Sequence, residues 1–186
     1  MILLRHGQSE FNLLFTQTRK DPGIKDPKLT PLGHSQAEAA AEALAAAHEI
    51  RRIIASPYTR ALQTAAPLAR RLGLPVTVNP VVRERYAFAC DIGSPVTHLR
   101  AEFPEVALDH IEEVWWPEVE EPAEQVIARA ARFRGEMAAL DDWAHTVVVS
   151  HWGFILSMTG KSVANGQWLP CDPTGPAPDE VIWKHH

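Results

Sequence analysis

Short apolar runs recur along the chain. Each gives way to a longer stretch in which apolar positions return every three or four residues. Ile2–Leu4 is the first run and predicts a buried strand, and Ser9–Phe15 starts a helix with Gln8 or Ser9 near its cap. The segment TQTRKDPGIKDPKLTP holds three prolines, a glycine and several charges, and so reads as a loop. Thr30-Pro31 then sets a capping residue before a proline at the first helical position, and an alanine-rich helix follows from Leu32 to His48.

The alternation continues. Arg52–Ala55 predicts a strand, Ser56-Pro57 another cap-plus-proline start, and Tyr58–Leu72 a helix closed by Gly73. Pro75–Val78 predicts a third strand that Pro80–Arg83 extends, and Pro95–Glu102 a short helix within an irregular stretch from Glu84 to Pro122. A long helix runs from Pro122 to about Leu140, with Val126, Ala130, Phe133 and Met137 on its apolar face. Thr146–Val149 is the most strand-like segment, a helix follows it, and Glu180–Trp183 is expected to be a final strand. Strands alternating with helices predict an α/β chain with a largely parallel central sheet.

Length and composition narrow the class. The 186 residues, 46% hydrophobic and 22% charged, predict one domain over 1–186, with the tag-like Lys184-His185-His186 set aside. The net charge of −5 points to neither nucleic acid nor an anionic membrane, yet leaves room for a local arginine cluster. Two cysteines, Cys90 and Cys171, make no disulfide framework and read as small buried side chains. The chain opens without the pattern of a secretory leader, and no apolar run reaches the roughly 18 residues that span a bilayer. The expectation is a cytoplasmic protein.

The chemistry gathers where strands stop. LLRHG and VVVSHWG each place a histidine just past the carboxyl end of a buried strand, the edge at which ligands sit in open α/β sheets. If those strands are neighbours, His6 and His151 lie within a few ångströms of each other. The strand before Ser56 leads into a helix whose first turn carries Arg60. Arg5 beside His6 completes a set of two arginines and two histidines, the residue types that bind an anion and attack it.

Four motifs in order, RHGQSEFN, LTPLGHSQA, SPYTRALQTA and VVVSHWGF, resemble those of the histidine phosphatase superfamily. That superfamily includes the cofactor-dependent phosphoglycerate mutases and the bisphosphatase domain acting on fructose-2,6-bisphosphate. The resemblance runs from residue 3 to about residue 160. It implies a three-layer α/β/α sandwich, a phosphohistidine intermediate, a small phosphorylated substrate, and neither metal nor cofactor.

Carried onto these residues, the resemblance makes His6 the nucleophile, with Arg5, Arg60 and His151 around the phosphoryl group and Asn12 holding the phosphate. In VVRERYAF, Glu84-Arg85-Tyr86 resembles the Glu-Arg-His-Tyr-Gly stretch of the mutases and makes Glu84 the proton donor. The glycine of that stretch is replaced by Ala87-Phe88, and Asp91 in CDIGSP remains a rival.

The physics suits these roles. Arginine's planar fork donates paired hydrogen bonds to phosphate oxygens, and nearby cations keep His6 in the neutral form that can attack phosphorus. A backbone carbonyl of the Gly7 turn is expected to fix its tautomer.

Several features compete. Gly33-His34-Ser35-Gln36-Ala37 is one residue from a serine-hydrolase elbow, but a helix start precedes it where a strand is required. The nine histidines show no His-Glu-x-x-His spacing and no paired cysteines. Trp115 and Trp116 are either caps on the core or, with Arg85, walls of the substrate pocket; Arg100 is a further candidate for a second anion. A phosphatase is preferred over a phosphoglycerate mutase because of the departure at RERYAF. A phosphohistidine protein phosphatase and a non-catalytic phospho-ligand module are rival readings of the same motifs.

Overall fold

The structure, a computed structural model, describes residues 1–183. The tag-like Lys184-His185-His186 lies outside the described residues. Strands β1 (Ile2–Arg5), β2 (Arg52–Ala55), β3 (Val76–Val78), β4 (Thr146–Ser150) and β5 (Trp168–Pro170) form one sheet in the order β3-β2-β4-β1-β5. All neighbouring pairs are parallel except β1 with β5. The helices are α1 (Glu10–Thr18), α2 (Pro31–Ala47), α3 (Thr59–Leu72), α4 (Val96–Glu102), α5 (Ala123–Ala138) and α6 (Trp152–Thr159).

Successive strand side chains go to opposite faces, and both faces are covered. Ile2, Leu4, Ile53, Ala55, Val147 and Val149 pack with α2, α3 and the 96–115 segment. Leu3, Ile54 and Val148 pack with α5 and α6. Burial on both faces is why these strands read as unbroken apolar runs and not as alternating ones. The result is the expected three-layer α/β/α sandwich.

Local signals set most of the boundaries. The Ser9 hydroxyl accepts from the Asn12 N–H, while the Asn12 side chain accepts from the Ser9 N–H, a reciprocal cap on α1. The Thr30 hydroxyl caps α2 by accepting from the Gly33 N–H at 3.1 Å. Gly33 also packs against Gly7: a Cβ on Gly7 would collide with the Gly33 carbonyl. That close approach ties the RHG turn to the start of α2, and it links two of the four motifs physically.

Three expectations are corrected. Glu180–Trp183 forms no strand; the fifth strand is Trp168–Pro170, on the outer edge beside β1. With that edge filled, the tail packs on α6 instead, and the Trp183 ring lies 5.9 Å from that of Trp152. Pro80–Arg83 does not lengthen β3, because Pro80–Val82 turns as a short 3-10 helix. Helix α3 starts at Thr59 with Tyr58 at its cap, so Ser56 is left out of the helix for another partner.

Candidate active site

Arg5 pairs with Ser150 in the β1–β4 register, so His6 and His151 follow at one level. Their ring centroids are 5.0 Å apart. His6 Nδ1 lies 2.7 Å from the Gly7 carbonyl oxygen. A carbonyl only accepts, so Nδ1 carries the hydrogen and Nε2 keeps its lone pair. Burial, and then the charges of Arg60 and Arg5, hold the His6 pKa well below its ordinary value. The imidazole is neutral.

His151 is fully enclosed, with its Nε2 2.8 Å from the Ser56 hydroxyl and its Nδ1 buried without a partner. The Tyr58 N–H already reaches the Ser56 oxygen, and the hydroxyl proton has no other acceptor among the described residues. Ser56 therefore donates to Nε2, which puts the ring hydrogen of His151 on Nδ1. Burial, then Arg60 and His6, keep this ring uncharged as well.

Two depressed histidines have a consequence for stability. Below about pH 6.5 the unfolded chain protonates both rings and the folded chain does not, so stability falls as pH falls. The slope is up to about 1.4 kcal/mol per pH unit for each histidine. Asp91 acts in the opposite sense, because its folded pKa, about 6, is raised above the ordinary value. Urea midpoints between pH 7.5 and 5.5 should show a shallower slope in His6→Ala than in wild type, since Asp91 is common to both. Equal slopes would mean that His6 is charged in the fold.

Arg60, on the first turn of α3, is 3% exposed and lies 4.2 Å over the Tyr58 ring. It donates to the Cys90 carbonyl at 2.9 Å and to Asp91 Oδ1 at 3.3 Å. The other Asp91 oxygen accepts from the Ala87 and Phe88 N–H groups. Burial pushes Asp91 up against the pull of Arg60, yet it remains ionised at neutral pH. Arg5 donates to the Val163 carbonyl at 2.7 Å, and its Nε is buried without a partner. Burial lowers its pKa to about 10, which leaves it charged.

These groups open on a cavity of about 380 Å³ lined by Arg5, His6, Asn12, Arg60, Glu84 and Asp91, among others. His151 does not line it; its ring touches those of His6 and Tyr58 behind the wall. Asn12 Oδ1 accepts from the Ser9 N–H, the Ser9 hydroxyl and Asn165 Nδ2, so its NH2 group is the part left for a ligand.

Glu84 reaches the start of α6, where its carboxylate accepts from the Gly153 N–H at 2.9 and 3.1 Å and from the Arg85 N–H at 2.8 Å. A helix N-terminus favours such an acceptor. Any Cβ at position 153 would collide with Glu84 Oε1, so the glycine makes this approach possible. Arg85 lines the cavity, bonded to the Glu121 carbonyl and to Glu120 and resting over the Trp183 ring.

Of the two readings of the tryptophans, the structure shows the core cap. Trp115 and Trp116 are not among the lining residues. Trp115 is 8% exposed, packs edge-on to Tyr58 and donates to the Ser94 carbonyl, with Trp116 edge-on to it. They close the core beneath the 96–116 segment. Arg100 pairs with Asp109 at the surface, also outside the cavity lining.

The aromatic walls come instead from Phe11, Phe15 and Phe88, whose rings cluster within 5.6 Å of one another, and from Trp152 and Trp183. Asn165 was also unforeseen. Its amide donates to the His6 and Gly7 carbonyls and to Asn12, bracing the His6–Gly7 turn. The Asn165-Gly166 dipeptide, a turn signal with φ of 71° at the glycine, was the available hint. Among the described residues, no three His, Cys, Asp or Glu side chains cluster as a metal site needs.

Residues 1–174 match the family profile of the histidine phosphatase superfamily (branch 1). Glucosyl-3-phosphoglycerate phosphatase of Mycobacterium tuberculosis is 30% identical over 168 residues, covering 86% of this chain and 73% of that protein. The Mycolicibacterium vanbaalenii protein of the same name is 32% identical over 184 residues, covering 92% and 76%. A solved mycobacterial glucosyl-3-phosphoglycerate phosphatase in complex with VO3 superposes with a TM-score of 0.64 at 27% identity, covering 90% of each chain. With the profile matched over residues 1–174 and a relative 32% identical over most of its length, the chain belongs to the histidine phosphatase superfamily.

Proposed function

We propose that the chain is a phosphoric monoester hydrolase that acts on a small phosphorylated metabolite through a phosphohistidine at His6. One observation carries this reading: a neutral imidazole, its Nδ1 tied to the Gly7 carbonyl, lines a cavity together with the buried Arg60 and the partly buried Arg5. Nε2 attacks phosphorus as the P–O bond to the alcohol breaks, and the departing oxygen takes a proton from Glu84. Water then attacks the phosphohistidine, returns a proton to Glu84 and releases inorganic phosphate. Arg5, Arg60 and the Asn12 amide stabilise charge on the transferring group, while His151 packs against the His6 ring from behind.

Glu84 is favoured over Asp91 because it is partly exposed and, among the described residues, accepts only from backbone N–H groups, whereas Asp91 holds a buried arginine. Both Asp91 oxygens are committed to Arg60 and to two backbone N–H groups, and the residue is 1% exposed. Protonating it would release Arg60. Asp91 thus acts here by holding the arginine.

The leaving alcohol would face Phe15, Phe88 and Trp183. Glucosyl-3-phosphoglycerate, named for the two mycobacterial relatives, belongs on the substrate panel. A cytoplasmic setting is part of this proposal and accords with two free, buried thiols.

Phosphate release from a metabolite panel tests the reading, alongside 3-phosphoglycerate primed with 2,3-bisphosphoglycerate. Hydrolysis without isomerisation is expected. Isomerisation would make the chain a mutase, and binding without release would make it a non-catalytic module. Arg60→Lys should lower kcat/KM by about 10²-fold, because a point charge cannot serve Asp91, Cys90 and the phosphate together. Unchanged kinetics would place Arg60 outside the reaction.

A further inference from the structure

Arg129 lies on α5, on the side of the sheet away from α2 and α3, and its side chain is 6% exposed. A guanidinium has five N–H donors, and here all five are used. Nε and one Nη2 hydrogen go to the two oxygens of Glu121, each at 2.9 Å. Nη1 donates to the carbonyls of Val81 and Arg83 at 2.8 Å, and Nη2 donates to that of Glu84 at 3.0 Å.

Ser150, the last residue of β4, donates its hydroxyl to the remaining carbonyl, that of Val82, at 2.6 Å. Four consecutive carbonyls, 81 to 84, are therefore held by side chains where a strand or helix would use backbone. Glu121 in turn is 3% exposed and also accepts from Arg83 at 2.9 Å.

We infer that the buried Arg129–Glu121 pair is a positioning device that fixes the backbone of Glu84 so that its carboxylate meets the departing oxygen; this rests on the reading of Glu84 as proton donor. A buried ion pair is weak support for stability, since apolar side chains of similar volume often serve as well or better. What an apolar replacement cannot supply is the three-carbonyl grip. The segment it holds has no ladder of its own, yet it carries a group that must be placed to within hydrogen-bond reach. Arg129 and Glu121 do not line the cavity, so neither is a catalytic residue.

The test separates placement of the acid from general stability. Arg129→Lys keeps the charge but loses the fork, and Glu121→Gln keeps the shape but loses the charge. Each should lower kcat for glycerol 2-phosphate at least tenfold more than kcat for p-nitrophenyl phosphate, whose leaving group needs little protonation. KM should change little. On a Glu84→Gln background, the same substitutions should add little further loss. Equal losses on both esters, tracking a fall in melting temperature, would overturn the inference and leave the pair purely structural. Glu84→Gln measured alone distinguishes the two failures: no ester dependence there removes Glu84 as donor and the positioning role with it. Dependence in Glu84→Gln but in neither pair variant overturns the positioning role alone.

Discussion

With His6 replaced by alanine, phosphate release from p-nitrophenyl phosphate is expected to fall by on the order of 10⁵-fold, as when other enzymes lose their nucleophile. Every other group around the phosphate would remain. Arg5 and Arg60 are held by the Val163 carbonyl and by Asp91 with Cys90, none of which depends on the imidazole. Inorganic phosphate should therefore bind to His6→Ala within about tenfold of its wild-type affinity, since charged hydrogen-bond donors dominate that contact. Loss of turnover with retained binding is the signature of a missing nucleophile. Loss of both would assign His6 to the integrity of the turn.

Glu84→Gln is expected to slow hydrolysis of glycerol 2-phosphate by about 10²- to 10⁴-fold, the range for a lost general acid. The effect on p-nitrophenyl phosphate should be no more than about tenfold, because nitrophenolate leaves without help. Glutamine can still accept from the Gly153 and Arg85 N–H groups, so the side chain keeps its place at the start of α6. Asp91→Asn should give a different pattern, similar losses on both esters, because it loosens Arg60, which acts on the phosphoryl group itself. If the ester dependence appears in Asp91→Asn and not in Glu84→Gln, the acid is Asp91.

The elements legible in the sequence were those with a local cause. Strands β1, β2 and β4 are covered on both faces and so read as continuous apolar runs, and His6 and His151 follow where β1 and β4 stop. Thr30-Pro31 and Ser9 mark helix starts through side-chain bonds within three residues. The motif glycines, too, were visible, although their reason, the contact of Gly7 with Gly33, required the fold.

What stayed hidden depends on distant partners. Strand β5 is three residues ending in proline, too short for a period and tolerable only at an edge. Ser56 looked like a helix cap because nothing nearby reveals that His151, 95 residues away, takes its hydroxyl. Arg129 carries no local signal, because the carbonyls of Val81, Arg83 and Glu84 that it holds lie 45 to 48 residues away. The paired tryptophans left two readings open, core cap or pocket wall, and only the fold shows the 96–116 segment closing its core with them.

A covalent phosphate on one ring nitrogen of His6 can be trapped during turnover. Brief reaction with a radiolabelled phosphate ester, an alkaline quench and peptide mapping should yield one phosphate on His6, stable to base and labile to acid. The same procedure on His6→Ala should yield none. Acid-stable label on a serine or threonine, or label on His151 with His6 unmodified, would take the nucleophile's role away from His6.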